Sequence, residues 1–258
     1  MVKVRGVWST IRHMGLRYTV REAIRRVFHV PYEYKGIPVK DTATFRMLKF
    51  ASKHGSVWLE GGDVFFRNKL GTFAVSINDL NLLRALGEDF EAYYGYLDAK
   101  GKVVADVGAF LGETAVMFAK MGARHVHAYE PVYFKYVERN LKLNGVDNAT
   151  VHPYGLFIED DVIYVAEHGT ATGLTYGGLE VRVKPLGDAI TDVVKLDCEG
   201  CEWALLSLPC SVIRRAEEYA VEIHGPESQI VRKMEKCGYS ARRIAELMHL
   251  LYVWHFKR

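Results

Sequence analysis

The chain has 258 residues, 49% hydrophobic and 25% charged, a composition with ample material for a core that excludes wholesale disorder. The net charge of +3 is unevenly spread: residues 1–30 hold seven basic side chains (Lys3, Arg5, Arg12, Arg17, Arg21, Arg25, Arg26) against Glu22. The remainder is therefore slightly acidic, a general polycation is excluded, and only the N-terminal segment raises the question of a nucleic acid. No apolar run reaches the ~18 residues of a spanning helix. The N-terminus is broken by charges and does not read as a signal peptide. Four cysteines (Cys198, Cys201, Cys210, Cys237) are too few for a disulfide scaffold, so they read as packing residues and the chain as cytoplasmic.

In chain order, residues 1–30 place apolar side chains at helical spacing, with arginines on the other face. Pro31 ends that pattern. Val57–Glu60, Val64–Arg67 and Thr72–Ile77 are short strands separated by glycine turns, and Asp79–Leu86 is a short helix. After Gly101 the texture becomes strand–helix alternation. Val103–Asp106 is a strand and a helix follows through Met121; Val126–Glu130 is a strand and Pro131 opens a helix to Asn144. Thr150–Pro153 is a third strand. Residues 157–187 are strand-like and turn-rich, with a small polar stretch at 169–178. Val193–Asp197 is a strand with a helix at Trp203–Leu208, Tyr219–His224 a strand with a helix at Ser228–Lys236, and Leu247–Phe256 a final strand or hairpin. This alternation predicts an α/β fold, a parallel sheet with helices on both faces, in a domain at 101–258. Residues 1–100 form an N-terminal α+β cap in this reading.

Two strand ends carry ligand-binding patterns. Asp106-Val107-Gly108-Ala109-Phe110-Leu111-Gly112-Glu113-Thr114 stands at a strand-to-helix turn. It lacks the Gly-x-Gly-x-x-Gly spelling of a dinucleotide site, and an acid at the strand tip suits a ligand carrying an ammonium group. Glu130, 22 residues past Gly108, ends the next strand before Pro131. An acid there can accept from ribose hydroxyls, or it can simply cap the following helix. These features name Asp106, Gly108, Ala109, Phe110, Gly112, Thr114, Glu130 and Pro131 as the cofactor-facing set.

With Asn140–Asn144, Val194-Lys195-Leu196-Asp197-Cys198-Glu199-Gly200-Cys201-Glu202 and Val221–His224, these segments resemble the S-adenosylmethionine-dependent methyltransferases, more closely the FkbM-type family. The 194–202 stretch is similar to that family's Lys-x-Asp-x-Glu-Gly-x-Glu signature. The resemblance spans about residues 90–258 and departs where Phe110 stands in place of the usual Asn. It implies a Rossmann-like, seven-stranded class I methyltransferase sheet with an antiparallel last strand. It also implies S-adenosyl-L-methionine as cofactor and O-methylation of a small molecule, glycan or lipid.

Strand alternation puts Asp197 and Glu199 on one side of their strand, and Glu222 and His224 on one side of theirs. If the strands are neighbours, the four converge. One of Asp197, Glu199 or His224 then acts as a general base, or two acids (Asp197 and Glu199) hold Mg²⁺. The bland alternative is that Glu199 and Glu202 only favour a helix N-terminus. Cys198 and Cys201 have the spacing of a metal or redox pair, but no second pair completes a zinc site. The basic segment at 1–30 can cover the core, hold RNA, or lie on an anionic membrane. RNA methylation and non-catalytic nucleoside binding stand as the alternative functions, and the oligomeric state is open.

Overall fold

The computed structural model describes residues 33–168, 171–174 and 178–258, with Leu16, Arg17, Thr19, Val20 and Ala23 before them. The amphipathic pattern at 1–30 therefore lies largely outside the described residues. So does part of the polar stretch 169–178. Among the described residues no helix is long and apolar enough to cross a membrane.

The chain divides into two compact units, residues 1–68 with 75–87, and residues 69–74 with 88–258. In the first unit, β1 (Glu33–Tyr34) pairs with β2 (Ile37–Pro38). Helix α1 (Thr42–His54) follows, which the sequence reading leaves unassigned. Asp41 caps it by accepting from the Thr44 N–H at 2.7 Å, and Phe45, Leu48 and Ala51 form its buried stripe. Strands β3 (Ser56–Glu60) and β4 (Asp63–Arg67) make an antiparallel hairpin through Gly61-Gly62, both at positive φ. Strand β5 (Thr72–Ser76) runs across the boundary between the units. The short helix expected at Asp79–Leu86 is a 3₁₀ helix, Leu80–Gly87.

The second unit is built on a seven-stranded mixed sheet. Its strands are β6 (Val103–Val107), β7 (His125–Tyr129), β8 (Ala149–His152), β13 (Val193–Leu196), β14 (Glu218–His224), β15 (Ser240–Met248) and β16 (Leu251–Lys257). The spatial order is β15-β16-β14-β13-β6-β7-β8. Strand β16 is antiparallel to β14 and to β15; the other pairings are parallel. The fold is Rossmann-like α/β. Helices α3 (Glu113–Lys120), α4 (Phe134–Leu143), α5 (Cys210–Ile213) and α6 (Ser228–Lys236) connect strands, and α2 (Phe90–Tyr94) precedes the sheet. The insert 155–185 forms a second sheet of β9 (Gly155–Phe157), β10 (Asp161–His168), β11 (Ala171–Leu174) and β12 (Leu179–Pro185), in the order β11-β10-β12-β9. A sheet thus stands where a crossover helix is usual, as the strand-like texture of that stretch predicts.

Register fixes the two faces. Ala105, Val107, Val194, Leu196, Tyr219, Val221 and Ile223 enter one hydrophobic cluster together with Ile230 and Met234 of α6. The alternating residues Asp106, Lys195 and Glu222 point the other way and are also buried. Side chains of α4 stand in for a strand beside β5. Asn144 accepts from the Thr72 N–H at 2.9 Å and donates to the Thr72 carbonyl at 2.7 Å. Asn140, one helical turn earlier, accepts from the Ala74 N–H at 2.8 Å.

Three sequence expectations need correction. Pro131 does not open α4, which starts at Phe134; the residues before it bend so that the Glu130 carboxylate accepts from the Val132 and Tyr133 N–H groups. The helix expected at Trp203–Leu208 is a 3₁₀ helix, Cys201–Leu206. Nor are the four cysteines free packing residues. Cys198 bonds Cys201 across three residues, and Cys210 bonds Cys237 across 27. In chain-entropy terms the longer loop contributes about 3–4 kcal/mol and the shorter roughly half of that. The cytoplasmic expectation rested partly on the low cysteine count, and the pairing weakens that part of it.

Gly108 joins the two central strand ends. Its φ is +80°, and a Cβ there would lie 1.7 Å from the Asp197 carbonyl oxygen. Gly108→Ala is therefore expected to lower the unfolding free energy by about 3 kcal/mol or more, because backbone strain and overlap add. Urea denaturation of the variant checks this, and a loss below about 1 kcal/mol would contradict the packing described.

Candidate active site

The parallel strands diverge from β6 and β13: β7 and β8 extend the sheet on one side, β14 on the other. In open α/β sheets such a reversal opens a crevice at the carboxyl ends of the strands. The side chains predicted for the site cluster at those ends.

At the end of β6, Asp106 has no exposed surface. Its Oδ1 lies 3.1 Å from the Lys195 ammonium, and its Oδ2 accepts from the Thr114 hydroxyl at 2.7 Å. The carboxylate expected to meet a cationic ligand is thus occupied by a lysine of the neighbouring strand. Lys195 also donates to the Gly108 carbonyl at 2.7 Å. Burial works against its charge, yet Asp106 and Asp197 carry its pKa up to about 12.

The glycine turn spends its donors internally. Gly108 and Ala109 N–H groups reach the Tyr129 carbonyl, Phe110 N–H reaches Glu130 Oε2, Leu111 N–H reaches Glu113 Oε2, and Gly112 N–H reaches the Ala109 carbonyl. No nest of free N–H groups remains for a pyrophosphate. Glu130 uses three of roughly four acceptor positions on backbone donors and keeps about one for a hydroxyl. The capping role and the hydroxyl-accepting role therefore coexist in its geometry. The Phe110 and Tyr133 rings meet edge to face beside it, centroids 5.2 Å apart. Gly112 has a φ of +92°, which favours glycine, while a Cβ there would meet Val137 only at an ordinary contact distance of 3.4 Å.

Across the switch point, Asp197, Glu199, Glu222 and His224 come together, with Glu199 placed by a positive-φ turn beyond the end of β13 rather than by strand alternation. His224 Nε2 lies 3.2 Å from Glu199 and 3.6 Å from Glu222, and Nδ1 lies 3.1 Å from Glu202. Both ring nitrogens face carboxylates, which an imidazolium satisfies. Burial opposes its charge, but Glu202, Glu199 and Glu222 raise its pKa to about 9. Burial and the nearby Asp197 push Glu222 up to about 8. Glu202 is more than a helix-opening acid: with no exposed surface, it accepts from the Gly200 and His224 N–H groups, each at 2.9 Å.

Tyr94 was not legible as a site residue. It comes from α2, on the far side of the domain break expected at Gly101, yet falls within the second unit. Its hydroxyl lies 3.0 Å from Asp197 and 3.1 Å from Glu222. One hydroxyl hydrogen cannot serve both acids. A proton on Glu222 completes the chain, with Glu222 donating to Tyr94 and Tyr94 donating to Asp197. Asp197, the more exposed member at 24%, has Lys195 at 3.6 Å.

The metal reading does not fit this donor set. Among the described residues the groups whose ligand atoms converge within 4.8 Å are Asp197, Glu222 and His224, not Asp197 with Glu199. An imidazole and a tyrosine-bridged acid pair are poor substitutes for the oxygen cage Mg²⁺ demands. Elsewhere, three histidines come together: His127 Nδ1 is 3.0 Å from His152 Nε2, and the His125 ring is 4.8 Å from that of His127.

No protein-family model matches the chain, and no curated protein matches it. Solved structures resemble it in fold. A ribosomal protein L11 methylase from Lactobacillus delbrueckii subsp. bulgaricus is 15% identical, with 68% of this chain and 79% of that chain covered and a TM-score of 0.43. TYW2 of M. jannaschii, solved with AdoMet, is 13% identical over 78% of this chain and 89% of its own, with a TM-score of 0.44. A precorrin-6y C5,15-methyltransferase from Geobacter metallireducens is 16% identical over 62% and 81%, with a TM-score of 0.41. At these identities and scores the reading of activity rests on this chain's own residues.

A folded-state pKa of about 9 lies above the free imidazole value of about 6.5, so the charged His224 stabilises the fold fully below pH ~6.5. That contribution is lost as pH rises through 9. Proton NMR should find the His224 ring still charged at pH 8, and Glu202→Gln should lower its midpoint by about one unit or more. A wild-type midpoint near 6.5 would contradict the ion-pair geometry.

Proposed function

We propose that the chain is an S-adenosylmethionine-dependent methyltransferase of the FkbM type that O-methylates a hydroxyl of a small molecule, glycan or lipid. The observation that carries this reading is Asp197. It is a partly exposed carboxylate at the carboxyl end of β13, its backbone against Gly108 of the cofactor turn. When bound, S-adenosylmethionine supplies an electrophilic methyl on sulfur. The rest falls to this chain's residues.

The residues suit a nucleoside without phosphates. Glu130 retains acceptor capacity for a ribose hydroxyl, Phe110 and Tyr133 offer ring surface beside it, and the turn has no free donors for a pyrophosphate. Asp106 and Thr114 support the turn through Lys195 and through each other. Asp197 accepts the proton of the acceptor hydroxyl as the oxygen gains its methyl. Lys195 stands 3.6 Å from the Asp197 carboxylate, and Tyr94 fixes its direction. Glu199 and Glu222 hold the His224 imidazolium as one wall of the crevice. A neutral hydroxyl enters such an acid-lined crevice at lower electrostatic cost than a phosphate does. RNA remains the alternative acceptor, through the basic segment at 1–30, and non-catalytic nucleoside binding remains the alternative role.

Calorimetry is expected to show S-adenosylmethionine or its demethylated product binding with a Kd on the order of micromolar. Binding of NAD with neither of these would overturn the reading. In cell extract fractionated after incubation with labelled methyl donor, label is expected in the small-molecule, glycan or lipid fractions. Label in RNA would select that alternative. Asp197→Ala should lower incorporation by ~100-fold or more while cofactor binding persists, and full activity would remove Asp197 from the chemistry.

A further inference from the structure

The two disulfides have different settings. Cys210–Cys237 closes a 27-residue loop, and Cys237 has no exposed surface. Cys198–Cys201 closes only the turn Glu199-Gly200, between the site strand β13 and the 3₁₀ helix that follows. Cys198 is partly exposed and Cys201 is 8% exposed. Both enclosed residues have positive φ, 56° at Glu199 and 122° at Gly200. Glycine adopts such a conformation freely, but for a glutamate it is uncommon and needs surroundings that hold it. Here the covalent ring does so. Its other side is fixed too: the Cys198 Cα lies 3.1 Å from the would-be Cβ of Gly108, and the Gly200 N–H is held by Glu202. What the ring presents is the Glu199 carboxylate, 3.2 Å from His224 Nε2.

We propose that Cys198 and Cys201 form a reversible dithiol–disulfide site whose oxidised state holds Glu199 against His224, and whose reduction releases it. The partner in the exchange is a small or protein dithiol. Its thiolate attacks Cys198 Sγ, the more exposed sulfur, and the S–S bond breaks with Cys201 leaving as thiolate. The partner's second thiol then attacks the mixed disulfide and frees Cys198. Two electrons and two protons pass to the cysteines, and the partner becomes a disulfide. Without the ring, Glu199 can leave the left-handed region, and His224 loses one of the three carboxylates around it. The pair gives the crevice a wall charge that follows the surrounding redox poise, and this holds whether or not the chain transfers methyl groups.

The test uses the full-length protein in graded ratios of reduced to oxidised dithiothreitol, with differential alkylation and mass spectrometry of each cysteine. Cys198 and Cys201 are expected to become alkylated at a less reducing ratio than Cys210 and Cys237, with the fold intact. Simultaneous reduction of both pairs, or reduction only on unfolding, would overturn the proposal. The second readout is the His224 titration by NMR. Reduction of the wild type should lower its midpoint by about one unit, and Cys198→Ser/Cys201→Ser should match the reduced form. Glu199→Gln should show the lowered midpoint already when oxidised and no further change on reduction. An unmoved midpoint in the reduced wild type, or a full shift on reduction of Glu199→Gln, would remove the link to Glu199.

Discussion

The Lys195 ammonium, 1% exposed, sits where β6 and β13 end side by side. It meets Asp106, the Gly108 carbonyl and Asp197, each on a different part of the crevice. Taking such a charge out of water costs several kcal/mol, and the attraction to a carboxylate at this range is of similar size. The net contribution to stability is therefore small. What the ion pairs provide is position: loss of either carboxylate strands a buried cation, so the strand tip, the glycine turn and Asp197 hold one arrangement together. The empty space that a side chain at Gly108 would need is filled by the Asp197 backbone for the same reason.

From that anchor, charge alternates outward across the crevice. Lys195 is ringed by Asp106 and Asp197, the acids meet at Tyr94, and beyond them His224 is ringed by Glu199, Glu202 and Glu222. Two cations thus serve five acids, and a proton on Glu222 removes one of the uncompensated charges. Burial and the neighbouring Asp197 push Glu222 toward its neutral form, while Asp197 stays partly exposed beside Lys195. Chemically similar side chains acquire different tasks from their surroundings alone.

Much of this was legible because it depends on period and order. The strand–helix alternation after Gly101 and the two-residue period of β14 were enough to set Glu222 and His224 on one face, whereas Glu199 reaches His224 from a positive-φ turn beyond the end of β13. What was hidden depends on sequence-distant contact. Tyr94 lies on a five-residue helix with no periodicity to mark it. The occupation of Asp106 by Lys195 needs the β6–β13 register, which no local pattern states. Helix α1 begins with β-branched Thr42 and is held by its Asp41 cap and tertiary burial more than by propensity. The cysteine pairs escaped because spacing suggests a bond only for Cys198 and Cys201, whereas Cys210 and Cys237 are brought together by the packing of α6.

The asparagines of α4 that bond the backbone of β5 bear on how the molecule can be dissected. They belong to one unit together with residues 69–74, while residues 75–87 belong to the other. The chain therefore passes from unit to unit three times, after Asn68, Ala74 and Gly87. No single cut yields two intact pieces. A fragment beginning at Gly101 would leave Asn140 and Asn144 facing water and would discard the tyrosine that joins Asp197 to Glu222. Residues 69–74 and 88–100 thus belong with the sheet that follows them, and a boundary drawn at Gly101 on the texture of the sequence cuts through the second unit.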